Sequence, residues 1–163
     1  MVALHTGMRK GEILALRWPD VDFSRRILTI HKSKTGLKRG IPLSDTLTDV
    51  LRDLKKGRKL VDISGRVFPI AERSLQQGYK KALGKAGIKD IRPHDFRRTF
   101  ASRLRNKGVI PTDIKVLMGQ SVPDVLEVHY THDYVDHLRQ CVSKLDEYYE
   151  EAGVGVRMGE LLR

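Results

Sequence analysis

The chain has 163 residues, 40% hydrophobic and 31% charged, which suits one domain with a real core and does not imply disorder. Lysine and arginine exceed aspartate and glutamate by 31 to 20, and the net charge of +11 favours a polyanionic partner, nucleic acid first and an anionic membrane surface second. No apolar run approaches the roughly 20 residues of a membrane span, no signal peptide opens the chain, and one cysteine, Cys141, excludes an internal disulfide or a cysteine-based zinc site, so a cytoplasmic location is expected.

Residues 1–5 read as the end of a helix, giving the chain the character of a fragment of something longer, and Thr6-Gly7 makes a turn. The spacing of Ile13, Leu14 and Leu16 predicts a short helix from Glu12 to Trp18, stopped by Pro19, with Arg9 in or just before its first turn. Residues 24–44 hold Arg25, Arg26, Lys32, Lys34, Lys38 and Arg39 and no acid. Residues 27–31 and 39–43 read as two strands joined by a basic hairpin with Gly36 in its turn, and Pro42 suits an edge strand. The hairpin lysines are either solvated or in contact with DNA.

Ser44 is placed to cap the next helix, whose Leu47, Val50, Leu51 and Leu54 form an i, i+3, i+4, i+7 stripe read as core. The Lys55, Lys56, Arg58, Lys59 run after it is a solvated face or a DNA-backbone contact. Val67-Phe68-Pro69 is a brief extended piece, and Ser74 to Ala86 is a second amphipathic helix closed by Gly87. Pro93 opens a central helix whose apolar face is Phe96, Phe100, Ala101 and Leu104. His94 and Arg97, three apart, are neighbours on its first turn, where free N–H groups and the helix dipole favour an anion. Read alone, they are either a phosphate-handling pair or part of a basic surface.

Short helices follow at Pro111 to Met118, ended by Gly119, and from Pro123 to Tyr130. A longer helix over Tyr134–Glu150 carries Val135, Leu138, Val142, Leu145 and Tyr148 at helical spacing, and the balance of charge after Tyr130 turns acidic. Histidines 129, 132 and 137 with Asp133 and Asp136 have the spacing of a metal site, but polar side chains at the surface between two helices are the favoured explanation, and no metal or cofactor is expected. The fold class is mainly α with a small antiparallel β-sheet.

Phosphodiester transfer without a metal needs guanidiniums on the non-bridging oxygens, a hydroxyl nucleophile, and groups that move its proton and protonate the departing oxygen. Each has a candidate among Arg9, Lys34, His94, Arg97 and Tyr130. Three stretches then carry a resemblance: T-G-M-R-K-G-E-I-L-A-L-R-W-P-D-V-D from Thr6, H-D-F-R-R-T-F-A-S from His94, and L-M-G-Q-S with H-Y-T-H from Leu117 to His132. In order and spacing they resemble the boxes of the tyrosine recombinases, the phage-integrase and Xer-type family, over nearly the whole chain.

The resemblance implies that family's catalytic domain over residues 1–151, without the N-terminal DNA-binding domain, and a tail at 152–163 exchanged between protomers. It implies that Arg9 and Arg97 clamp the phosphate and His94 assists proton transfer. Tyr130 becomes the nucleophile, and Lys34, eight residues before Pro42, the general acid. Lys32 and Lys38 are substitutes for Lys34, and Lys32, Lys38, Arg39 and Arg98 are DNA contacts. Glu12 supports an arginine or the packing. Gln120 stands where the family usually has His or Trp, which implies reduced cleavage, since an amide donates a hydrogen bond but passes no proton. Ten residues separate Gln120 from Tyr130, one more than in the commonest members, which keeps Tyr134 as a rival nucleophile. The partner implied is double-stranded DNA, with a monomer in free solution and a homotetramer on DNA. The alternatives are a weakened DNA-binding remnant and a type IB topoisomerase-like enzyme.

Overall fold

The computed structural model describes residues 1–31, 38–57, 64–89, 91–120 and 132–153. Seven helices are present among them: α1 (Val2–Thr6), α2 (Lys10–Ala15), α3 (Asp45–Lys56), α4 (Glu72–Lys85), α5 (Pro93–Asn106), α6 (Pro111–Met118) and α7 (His132–Glu151). The sheet has three antiparallel strands in the order β1 (Val21–Asp22), β2 (Ile27–Ile30) and β3 (Arg39–Pro42). Two strands were expected. The third is only two residues long and pairs Val21 with Leu28, too short to leave an alternation in the sequence. Its turn is made by Asp22, whose carboxylate accepts from the Ser24 and Arg25 amides at 2.9 Å, with Arg26 left-handed at φ 54°.

The expected helix from Glu12 to Trp18 starts earlier and ends at Ala15. The backbone of residues 16–18 is used elsewhere: Leu16 O accepts from Val67 N at 2.8 Å, and Trp18 N donates to Gly65 O at 2.9 Å. A short 3-10 turn, Trp18–Asp20, then holds Pro19.

The core lies where α1, α5, α6 and α7 meet the inner face of the sheet and α3. Leu28, Ile41, Leu43, Leu47, Leu51, Phe100, Leu104 and Leu145 are fully buried there. Ser44 caps α3 by accepting from Leu47 N at 3.3 Å, and the Asp146 carboxylate on α7 accepts from Asp45 N at 2.7 Å. On α7 the buried stripe runs through Leu138, Cys141, Val142, Leu145 and Tyr149, so Tyr149 rather than Tyr148 is the tyrosine turned inward at its end. The Ser74–Ala86 stripe behaves differently from its pattern. No residue of α4 is buried; Leu75 and Tyr79 instead line an apolar cleft of about 410 Å3 beside α1, α2 and α3.

Gly7 ends α1 in the left-handed region, φ 60°, and a Cβ there would stand 2.6 Å from Cδ1 of Phe100. That contact lets α1 lie directly on α5, which brings the start of α2 beside the first turns of α5.

Candidate active site

Both helices that begin at this point do so with a carboxylate at the third position. Glu12 Oε2 accepts from the Arg9 amide at 2.8 Å, and Asp95 Oδ2 accepts from the Arg92 amide at 2.7 Å. Arg9 is therefore the residue that opens α2. Its guanidinium, one-third exposed, donates to Glu12 Oε1 at 3.2 Å.

Glu12 has a second partner 27 residues away. Arg39, on β3, holds it through two parallel bonds, Nη1 to Oε1 at 3.1 Å and Nη2 to Oε2 at 2.9 Å. Burial pushes the Glu12 carboxyl up, the bonds from Arg39 and Arg9 pull it down, and the bonds win, so it is held below the usual carboxylate range.

Arg97 completes the group. It is buried on α5, donating Nη1 to Gly7 O at 2.5 Å and Nη2 to Met118 O at 2.7 Å. One side chain thus ties the end of α1 to the end of α6 and uses two of its five donors. Burial, then the fields of Arg9 and Arg39, lower its pKa to about 10, while Glu12 raises it. The guanidinium stays charged at neutral pH.

Gly119 makes room for this arrangement. It closes α6 at φ 62°, and a Cβ there would collide with the Arg39 guanidinium, lying 2.6 Å from Cζ. The Nε of Arg39 is buried with no partner among the described residues. His94 and Gln120, both exposed, line one cleft of about 330 Å3 with Arg97, Arg98 and Lys115. Arg98 reaches outward, its side chain 73% exposed and 3.9 Å from Asp95. Lys38 is exposed at the start of β3.

The structure thus brings together Arg9, Arg97 and Glu12 in one group, with His94 and Gln120 in the cleft beside Arg97. It places Arg39, expected as a DNA contact, inward as the main partner of Glu12 with its side chain 10% exposed. Lys32, Lys34 and Tyr130 lie outside the described residues, as do the helix expected from Pro123 and the tail beyond Gly153. Tyr134 sits on α7, its hydroxyl donating to Asp113 Oδ1 at 3.0 Å, and burial and that carboxylate push its pKa above the ordinary tyrosine range. Arg39 and Gly119 are the residues whose roles sequence reasoning missed. The glycine at the end of α6 was the available signal; nothing local announces a pairing 27 residues away.

What the arrangement can do follows from its charge. Two guanidiniums, Arg9 and Arg39, bond one carboxylate and a third, Arg97, feels its field, a surplus of positive charge at the start of a helix, where an anion is favoured.

The integrase of mycobacterium phage Brujita superposes with a TM-score of 0.70 at 22% identity, over 88% of this chain and 49% of that one. The fold is that of the tyrosine recombinase catalytic domains. In sequence, the chain is similar to the shufflon-specific DNA recombinase of Escherichia coli, 32% identical over 89% of this chain and 36% of that protein. It is also similar to the tyrosine recombinase XerA of Saccharolobus solfataricus, 30% identical over 83% of this chain and 45% of that one. The sequence model of the Phage integrase family matches residues 1–137, and the chain belongs to that family. It spans less than half the length of these two curated relatives. Among the described residues no helix is long and apolar enough to cross a membrane.

Proposed function

We propose that this chain is the catalytic domain of a site-specific DNA recombinase that cuts and rejoins DNA through a 3′-phosphotyrosine. The observation that carries the reading is the surplus of guanidinium charge around Glu12, with Arg97, within its field, lining the cleft that holds His94 and Gln120. A scissile phosphate brings the missing negative charge. Arg9 and Arg97 neutralise its non-bridging oxygens as charge builds in the transition state, and fixed donors in such a site are each worth about 10²–10³ in rate.

Tyr130 Oη attacks phosphorus and the bond to the 5′ oxygen breaks. His94 takes the tyrosine proton, and Lys34 gives a proton to the departing 5′ oxygen. Gln120 donates a hydrogen bond to a phosphate oxygen. In the return step a 5′-hydroxyl attacks the phosphotyrosine and these proton movements reverse, so joining needs no nucleotide cofactor and, in this scheme, no metal. Lys32, Lys38 and Arg98 lie along the DNA backbone, a contribution that weakens as salt rises. The full reaction takes two DNA sites and four protomers, with the segment 152–163 passing between neighbours.

Incubation with a nicked suicide duplex in EDTA tests this reading. A covalent protein–DNA adduct is expected, absent in Tyr130→Phe and retained in Tyr134→Phe. A native-gel shift with no adduct from the wild type would reduce the chain to a DNA-binding module.

A further inference from the structure

On the contact between α6 and α7, a second set of polar groups converges that the phosphate site does not use. Asp113 of α6 is buried, 3% exposed, and its Oδ2 lies 2.7 Å from His137 Nε2. Cys141, one helical turn beyond His137 on the same face of α7, places its sulfur 3.7 Å from that nitrogen and 3.9 Å from that oxygen. Tyr134, the turn before, donates to the other Asp113 oxygen at 3.0 Å and lies beside the His137 ring.

We propose that Asp113, His137 and Cys141 form a binding site for a divalent transition metal of zinc's type, which fastens α6 to α7. A tetrahedral zinc, with Zn–N and Zn–O of about 2.0 Å and Zn–S of about 2.3 Å, sets donor separations of roughly 3.3 to 3.6 Å. Two of the three separations here are already within a few tenths of that, and only the carboxylate–imidazole edge must open. Oxygen, nitrogen and thiolate donors together suit zinc or cobalt and do not suit magnesium or calcium. The single cysteine rules out a site of several thiolates but not this mixed one. Tyr134 orients the carboxylate from behind, as the outer partners of metal ligands do. His137 is half exposed, which leaves a way in and room for a water as fourth ligand.

Binding exchanges protons in a definite way. A thiol coordinates a metal as its thiolate, so binding displaces the Cys141 proton. The ion takes the place of that proton, which leaves to buffer, while the His137 ring carries its remaining proton on Nδ1. About one proton is released per ion bound. None of the three ligands lines the cleft that holds His94 and Arg97, so the ion is a tie between helices and takes no part in phosphoryl transfer.

The alternative is a plain hydrogen-bond network, and cobalt separates the two. Because Cys141 is the only cysteine, a thiolate-to-cobalt charge-transfer band in the full chain can arise only there. Titration with cobalt in the tens of micromolar should give that band, with about one equivalent of zinc displacing it. Cys141→Ser should lose the band and bind zinc at least about tenfold more weakly, and His137→Gln should weaken it similarly. Folded wild-type protein that gives no band overturns the proposal. So does zinc affinity unchanged in Cys141→Ser or lost only in His132→Ala, which would put the ion elsewhere. These readouts do not depend on strand transfer, so they stand or fall apart from the recombinase reading.

Discussion

Two clusters in this protein each draw arginine into the fold and come to opposite ends. Around Glu12, Arg9 and Arg39 bond the carboxylate, and Arg97, within its field, lines a cleft. Where α1 meets α7, His5 and the half-buried Arg103 pack among aromatic rings, with His5 Nε2 and Arg103 Nε lacking a hydrogen-bond partner among the described residues. His5 Nδ1 lies 2.9 Å from the Ser44 hydroxyl, and its ring stacks on Tyr149 at 4.7 Å. Arg103 bonds the Tyr149 hydroxyl and sits 4.9 and 4.6 Å from the Tyr148 and Tyr149 ring centres. Ring faces absorb that charge, and the buried histidine stays neutral. The lesson is that charge left over, rather than charge present, separates a site that awaits an anion from one that holds the fold.

Removing the carboxylate should break this contrast most severely. Glu12→Gln leaves Arg39 nearly buried beside two other cations and should cost on the order of 3–5 kcal/mol in urea unfolding. Inorganic phosphate should restore stability to this variant more than it raises that of the wild type. An equal response in both would mean that the arginines do not meet at an anion.

A smaller effect should come from acid, and it belongs to the closed cluster. Burial lowers the His5 pKa to about 4; Asp146 opposes the shift and Arg103 adds to it. The unfolded chain takes a proton near pH 6.5 and the folded one does not, so stability is full above that pH and falls below it. The loss should reach about 2 kcal/mol at pH 5 and level off under pH 4. Glu12, whose carboxyl is depressed, keeps its contribution until lower pH, so between pH 6.5 and 5 the slope reports His5. Urea midpoints across that range should flatten in His5→Gln.

The smallest change expected is Gly119→Ala. The left-handed backbone and the collision with Arg39 should together cost roughly 1–3 kcal/mol in thermal unfolding, and the loss should shrink in an Arg39→Ala background. Equal losses in both backgrounds would remove the steric link between them.

Much of this was legible along the chain because it is local. Ser44, Pro93 and the Phe100–Leu104 face carry their own cap and periodicity, and β2 and β3 pair as the two expected strands. The arginines and the histidine of the candidate site were legible as motif positions. Their surroundings were not. Arg97 finding carbonyls at Gly7 and Met118, or Leu16 ending α2 by pairing with Val67, depends on segments that meet only in the folded chain. The α4 stripe misled for the same reason: periodicity shows that a face is apolar and leaves open what covers it.

Arg9 offers the most direct test of the phosphate reading, because it is part-exposed and among the described residues bonds no backbone carbonyl, so its loss should leave the fold standing. Single-turnover cleavage by wild type and Arg9→Ala would be compared on a native scissile phosphate and on an uncharged methylphosphonate at the same position. If Arg9 neutralises the phosphate, the variant should be about 10²–10³ slower on the charged site and lose most of that deficit on the neutral one. An equal deficit on both would contradict the account, since Arg9 would then be acting on something other than the charge of the phosphate.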